Sequence, residues 1–149
     1  MKTAGIIAEY NPFHNGHAYQ IKEVRRKTGA DYVIIVMSGD FVQRGEPAIT
    51  DKYLRARMAL QEGADLVLEL PVLFACAGAE YFARGGVSIL NSLGCVDTLC
   101  FGTEQEHLSD FEPAASLLTE EPPAYRQCLA SYLKEGMGYP AARSAALSD

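Results

Sequence analysis

Two of the three histidines in this 149-residue chain stand three apart, in His14-Asn15-Gly16-His17. Imidazoles at that spacing, at the start of a helix, can point the same way. Both can donate to phosphate oxygens and stabilise charge developing on a bridging phosphate. Gly16 between them permits close backbone approach. The same two residues could instead serve as loop and cap residues that satisfy backbone carbonyls. Two histidines alone are too few ligands for a zinc site. Neither GxGxxG nor GxxxxGK[ST] occurs, which disfavours a dinucleotide fold and a P-loop.

The elements that must hold these residues are legible on either side. Thr3 to Ala8 is a short apolar run of the kind that forms a strand buried on both faces. Glu9 to His17 is a loop by its Asn-Pro and Asn-Gly punctuation. A helix follows from about His17 to Lys27, with Ile21 and Val24 facing in, and Thr28-Gly29 ends it. Asp31 to Met37 is a second buried strand, and Ser38 to Ile49 a long loop. Thr50 or Asp51 caps the next helix, which runs to about Glu62 with Leu54, Met58 and Leu60 or Gln61 inward. Ala64 to Leu70 and Val96 to Phe101 read as further strands, with a helix from Ala79 to Leu93 between them. The Gly85-Gly86 pair inside that helix is awkward for its propensity. Helices are also expected over 107–118, from Pro123 to Lys134 and from Pro140 to Leu147.

Strands alternating with helices predict a Rossmann-like parallel α/β sheet with helices on both faces, plus C-terminal helices. Such sheets bind ligands outside the carboxyl ends of their strands, where the strand order reverses. The loops after each strand are then the places to look, and the first carries the histidines. A helix N-terminus there offers phosphates its amides and the positive end of its dipole. Residues 1–120 are read as the Rossmann-like domain and 121–149 as a helical extension.

Composition narrows the classes. The 48% hydrophobic and 21% charged fractions are those of a globular domain with a core, not of a disordered tail or a fibre. The longest apolar runs are too short to span a bilayer. Glu9, Asn11 and His14 arrive too early for a signal peptide, so a cytosolic protein is expected. The net charge of −6 is uneven: +3 over residues 1–60 and −9 over 61–149. A nucleic-acid surface is normally basic, so any RNA contact belongs to the first third or to sequence past residue 149. Cys76, Cys95, Cys100 and Cys128 lack metal-site spacing and are expected to be reduced, in or near the core.

Other polar residues are weaker candidates. Arg44, in a glycine-flanked loop, could contact phosphate or RNA. Lys22 could do so too, although with Arg25, Arg26 and Lys27 it reads as a solvated basic face. Asp40 could bind metal or organise the loop that carries Arg44, and Gln43 is a similar candidate. Glu69, at the end of an apolar strand, is expected to be buried and paired. Glu104 could fix the nucleotide loop or cap a helix, and His107 reads as a surface residue.

The motif also resembles something known. His14-Asn15-Gly16-His17 is similar to the HxGH motif of the nucleotidylyltransferase superfamily, shared with class I aminoacyl-tRNA synthetases. The string Gly5 to Gln20 looks closer to one family, the bacterial tRNA(Met) cytidine acetate ligases. Ser38 to Ala48 resembles that family's second loop, Phe101-Gly102-Thr103-Glu104 its fourth strand end, and Gly138-Tyr139-Pro140 with Ala142-Arg143 its later helical part. The resemblance implies activation of acetate by ATP to acetyl-adenylate and transfer of the acetyl group to N4 of the wobble cytidine of elongator tRNA(Met). It implies ATP over Ile7-Ala8-Glu9-Tyr10-Asn11-Pro12-Phe13-His14-Asn15-Gly16-His17-Ala18-Tyr19-Gln20, with magnesium on the phosphates. His14 and His17 would hold the phosphates and stabilise the transition state, and Gly102 would let the adenine pack against backbone. Family members are longer, which implies further ATP contacts and the basic tRNA-binding part past residue 149. HxGH alone also fits a nucleotidylyltransferase that makes a small activated metabolite, and a nucleotide-binding module without catalysis is the remaining alternative.

Overall fold

The computed structural model describes residues 1–103, 107, 109 and 111–148. Four strands, β1 (Thr3–Ala8), β2 (Tyr32–Ser38), β3 (Leu66–Leu70) and β4 (Thr98–Cys100), form one sheet in the order β3-β2-β1-β4. Every pairing is parallel; Ile6 sits opposite Ile35 on one side and Cys100 on the other. The chain moves outward from β1 through β2 to β3, then returns across β1 to β4. The order therefore reverses at β1, and the crevice at its carboxyl end is where such sheets take ligands.

Period-two alternation along β2 explains why both faces are covered. Val33, Ile35 and Met37 pack with Ile21 and Val24 of α1 (Asn15–Thr28) and Ala59 of α2 (Lys52–Gln61). Ile34 and Val36 point the other way, against Ala75 of α3 (Val72–Ala75) and Leu90 of α4 (Ala79–Ser92). The expected architecture, a parallel sheet with helices on both faces, is the observed one.

The glycine pair of α4 now has a reason. A Cβ at Gly86 would stand 2.7 Å from the Ile7 side chain, and one at Gly85 would stand 2.5 Å from the Phe74 ring. The helix lies so close to β1 and α3 that only hydrogen fits there.

Several expectations are corrected. Helix α1 begins at Asn15, two residues before the expected start, because His14 caps it. The inward face of α2 is Arg55 and Ala59; Leu54 and Leu60 are exposed. The loop after β3 contains the short helix α3. Glu69 is exposed, not buried, because β3 is an edge strand, and it pairs with Lys52.

The chain divides into two compact units, Met1–Gly102 and Thr103–Asp149. The second holds α5 (Glu112–Glu120), α6 (Pro123–Lys134) and α7 (Tyr139–Ser148), with Tyr125, Ala142 and Ala146 buried. Helix α5 falls in the second unit. All four cysteines are free thiols, and Cys95 is exposed. Among the described residues no helix is long and apolar enough to cross a membrane.

Candidate functional site

The carboxyl end of β1 leads into Glu9, then Tyr10, which turns the chain in the left-handed region at φ 48°. That conformation costs a non-glycine residue energy and persists only where its surroundings over-determine it. Tyr10 is almost fully buried, and its ring meets Phe13 edge-on at 4.8 Å and His17 at 4.6 Å between centroids. Burial pushes the phenol well above its ordinary pKa, so it stays protonated. Two further bonds tie this loop to the one after β2. The Gln43 amide donates to the Glu9 carboxylate (2.8 Å), and the Ile49 amide donates to Oδ1 of Asn11 (2.7 Å).

His14 is the N-cap of α1 in extended conformation, and His17 is the third residue of the first turn. The Gly16 amide donates to Nδ1 of His14 (3.1 Å), and the His14 amide donates to Nδ1 of His17 (3.2 Å). The two residues form a reciprocal capping box, with imidazoles in the roles of the usual hydroxyl and carboxylate. Gly16 is required by the same geometry, since a Cβ there would stand 2.9 Å from Cε1 of His14. A ring nitrogen that accepts an amide hydrogen bond cannot carry a proton. Both neutral rings are therefore assigned the Nε2–H tautomer, each with one donor left for a ligand. The rings stack at 3.7 Å. Partial burial and then the neighbouring His14 lower the pKa of His17, because a second positive charge so close is unfavourable.

Both rings line a cavity of about 400 Å³, together with Ile7, Ala8, Glu9, Tyr10, Asn11, Pro12 and Gln20. That size suits a small organic ligand. These residues all fall within the stretch Ile7 to Gln20. Phe13 instead packs toward the core, Ala18 is buried, and Tyr19 is exposed. A Cβ at Gly102 would stand 3.9 Å from Nε2 of Gln20, which places the end of β4 beside the rim.

Other candidates lie apart from the cavity wall. Lys22 pairs with Glu62 at 3.4 Å, and Arg26 with Glu23 at 2.7 Å. Arg25 donates to the carbonyls of Ala30, Asp31 and Gly63 and pairs with Asp65. The basic face on α1 is thus largely engaged by protein groups. Arg44 is exposed, on a 3-10 turn (Gln43–Gly45) at φ 66°. Asp40 and Glu69 share Lys52, at 3.6 and 2.9 Å. His107 is exposed, and Glu104 lies outside the described residues. Among the described residues no three His, Cys, Asp or Glu side chains gather to hold a metal.

Arg55 is the residue that sequence reasoning missed. It is completely buried, and its guanidinium donates only to backbone carbonyls, among them those of Glu9 (2.8 Å) and Ser38 (3.0 Å). No signal in the sequence marks it, because an arginine on a helix with several charges reads as solvated.

Known proteins resemble this chain over its whole length. The family model described as HIGH Nucleotidyl Transferase matches residues 1–149. The tRNA(Met) cytidine acetate ligase of Acetivibrio thermocellus is 54% identical over 147 residues, which cover 99% of this chain and 35% of that protein. The ligase of Alkaliphilus metalliredigens is 50% identical over 149 residues, 100% of this chain and 35% of that protein. Among solved structures, Thermotoga maritima TmcAL bound with alpha-thio ATP matches with a TM-score of 0.92 at 47% identity, over 99% of this chain and 36% of that one. Its apo form matches at 0.93, over 35% of that chain. The chain spans about a third of the length of these relatives.

Proposed function

This chain belongs to the HIGH Nucleotidyl Transferase family, and from that premise we propose that it carries the ATP-handling part of a tRNA(Met) cytidine acetate ligase. ATP lies over the stretch Ile7 to Gln20, with its phosphates at the positive end of α1. His14 and His17 donate Nε2–H to phosphate oxygens and stabilise the charge of the pentavalent transition state. A carboxylate oxygen of acetate attacks the α-phosphorus. The bond to the bridging oxygen breaks, and pyrophosphate leaves with the electron pair. N4 of the wobble cytidine of elongator tRNA(Met) then attacks the acetyl carbon of acetyl-adenylate, AMP leaves, and N4 gives up a proton. No protein nucleophile enters, so the residues contribute positioning and electrostatics.

Gly102 takes the adenine against backbone. Magnesium would arrive on the nucleotide phosphates, where this cation usually binds with most of its waters kept. Arg44, exposed on its turn, is the better RNA or outer-phosphate contact, since the Lys22 ammonium is engaged by Glu62. With tRNA as its substrate, the protein would work in the cytoplasm.

One observation carries this reading. The reciprocal cap uses both Nδ1 atoms, so each ring at the cavity keeps one Nε2–H donor. The test is exchange of labelled pyrophosphate into ATP by this chain, with and without acetate. Exchange that requires acetate supports acetyl-adenylate formation. Exchange with a phosphorylated alcohol in place of acetate, with a stable nucleotidyl product, would assign a metabolite nucleotidylyltransferase instead. ATP binding with no exchange under any condition would make this chain a binding module.

A further inference from the structure

A buried guanidinium is costly unless its donors are satisfied. Arg55 engages four of its five N–H donors, and none of them meets a carboxylate. Nε donates to the Thr50 carbonyl (3.1 Å), and one terminal nitrogen to the carbonyls of Glu9 (2.8 Å) and Ser38 (3.0 Å). The other donates to the Gly39 carbonyl. These four oxygens come from three separate segments: the exit of β1, the exit of β2 and the approach to α2. A planar fork can hold all three in one register, and a point-charge ammonium cannot.

The Glu9 carbonyl is the decisive contact. The next residue is Tyr10, turned left-handed, and its ring packs on His17. We infer that Arg55 is a positioning residue, which holds the Glu9 carbonyl and the Tyr10 turn and through them sets the His17 imidazole at the mouth of the cavity. The inference rests on the reading of that mouth as a phosphate site. Burial lowers the pKa of the guanidinium, and the carboxylates of Asp40, Asp51, Glu9 and Glu69 offset that effect only in part. The side chain remains a cation.

The test uses the full 149-residue chain, labelled with ¹⁵N-histidine, as wild type, Arg55→Lys and Arg25→Lys. Arg25 is the matched control. It too ties several backbone carbonyls together, but at Ala30, Asp31 and Gly63, none of which lines the cavity. In Arg55→Lys the His17 titration midpoint should rise toward the ordinary imidazole value, and its Nε2–H tautomer signature should weaken. ATP affinity should fall about tenfold, the scale of a small misplacement of a binding group. Arg25→Lys should lower thermal stability and leave the His17 spectrum alone. A folded Arg55→Lys with an unmoved His17, or an equal shift in Arg25→Lys, would overturn the inference. If Arg55→Lys is unfolded in buffer, the spectra are taken in sucrose, which favours the compact state. Failure to fold there also counts against it, because Arg55 would then be needed for the fold itself. The histidine spectra need no nucleotide. A wild-type chain that binds no ATP therefore counts against the phosphate-site reading and not against the link from Arg55 to His17.

Discussion

At the scale of single residues, His14 caps a helix and, in the proposed function, also meets a ligand. Its Nδ1 caps α1, and its Nε2–H is free for a ligand. Asparagine caps helices well and alanine does not. His14→Asn should keep stability within about 0.5 kcal/mol, whereas His14→Ala should lose about 1 kcal/mol. Both should cut turnover by about 10²–10³-fold if the lost donor serves the transition state. Urea unfolding and pyrophosphate exchange separate the two effects. His17 adds a pH dependence. Its folded pKa lies below the ordinary 6.5, so the unfolded chain binds the proton more readily. The stability it contributes is present above pH 6.5 and is lost as pH falls through the folded value. Unfolding curves between pH 7.5 and 5 should show that loss, and His17→Asn should flatten it.

At the scale of elements, the approach of α4 to β1 is the feature most exposed to substitution. Gly86→Ala would drive a methyl group into Ile7, which also lines the cavity. The gain in helix propensity is at most about 1 kcal/mol, and overpacking costs about 1–3 kcal/mol. Gly86→Ala should therefore lower the urea midpoint and weaken ATP binding together. These glycines mark how far sequence reading carries. Buried runs such as Val33 to Met37 announce their strands, because a parallel sheet covered on both faces needs apolar residues at every position. The Asn-Pro and Asn-Gly pairs announce the loop that holds the histidines. The glycine pair was visible, but its cause was not, because Ile7 and Phe74 meet it from distant parts of the chain. Arg55 was illegible for a related reason: its partners are carbonyls, which every residue has. The expected burial of Glu69 failed because nothing in the sequence marks β3 as an edge strand.

At the scale of the whole molecule, the two units differ in what they bring. The sheet unit, Met1–Gly102, contains every residue that lines the cavity. The charge balance is +3 over residues 1–60 and −9 over 61–149. Phosphate contacts dominate affinity for nucleic acid, and an acidic chain supplies few. This chain alone should bind tRNA weakly, with a dissociation constant no tighter than that of nonspecific contacts, about 10⁻⁵ M at physiological salt. A mobility-shift titration measures it, and sub-micromolar binding would relocate the RNA surface onto these residues.

In the proposed function the His14–His17 pair receives phosphate at the loop after β1. Histidine ¹⁵N spectra of this chain, titrated with ATP and in parallel with adenosine, test it most directly. ATP should move the Nε2 resonances of His14 and His17 and leave exposed His107 in place, while adenosine should move neither member of the pair. An unmoved pair under saturating ATP, or equal shifts with adenosine, would contradict it.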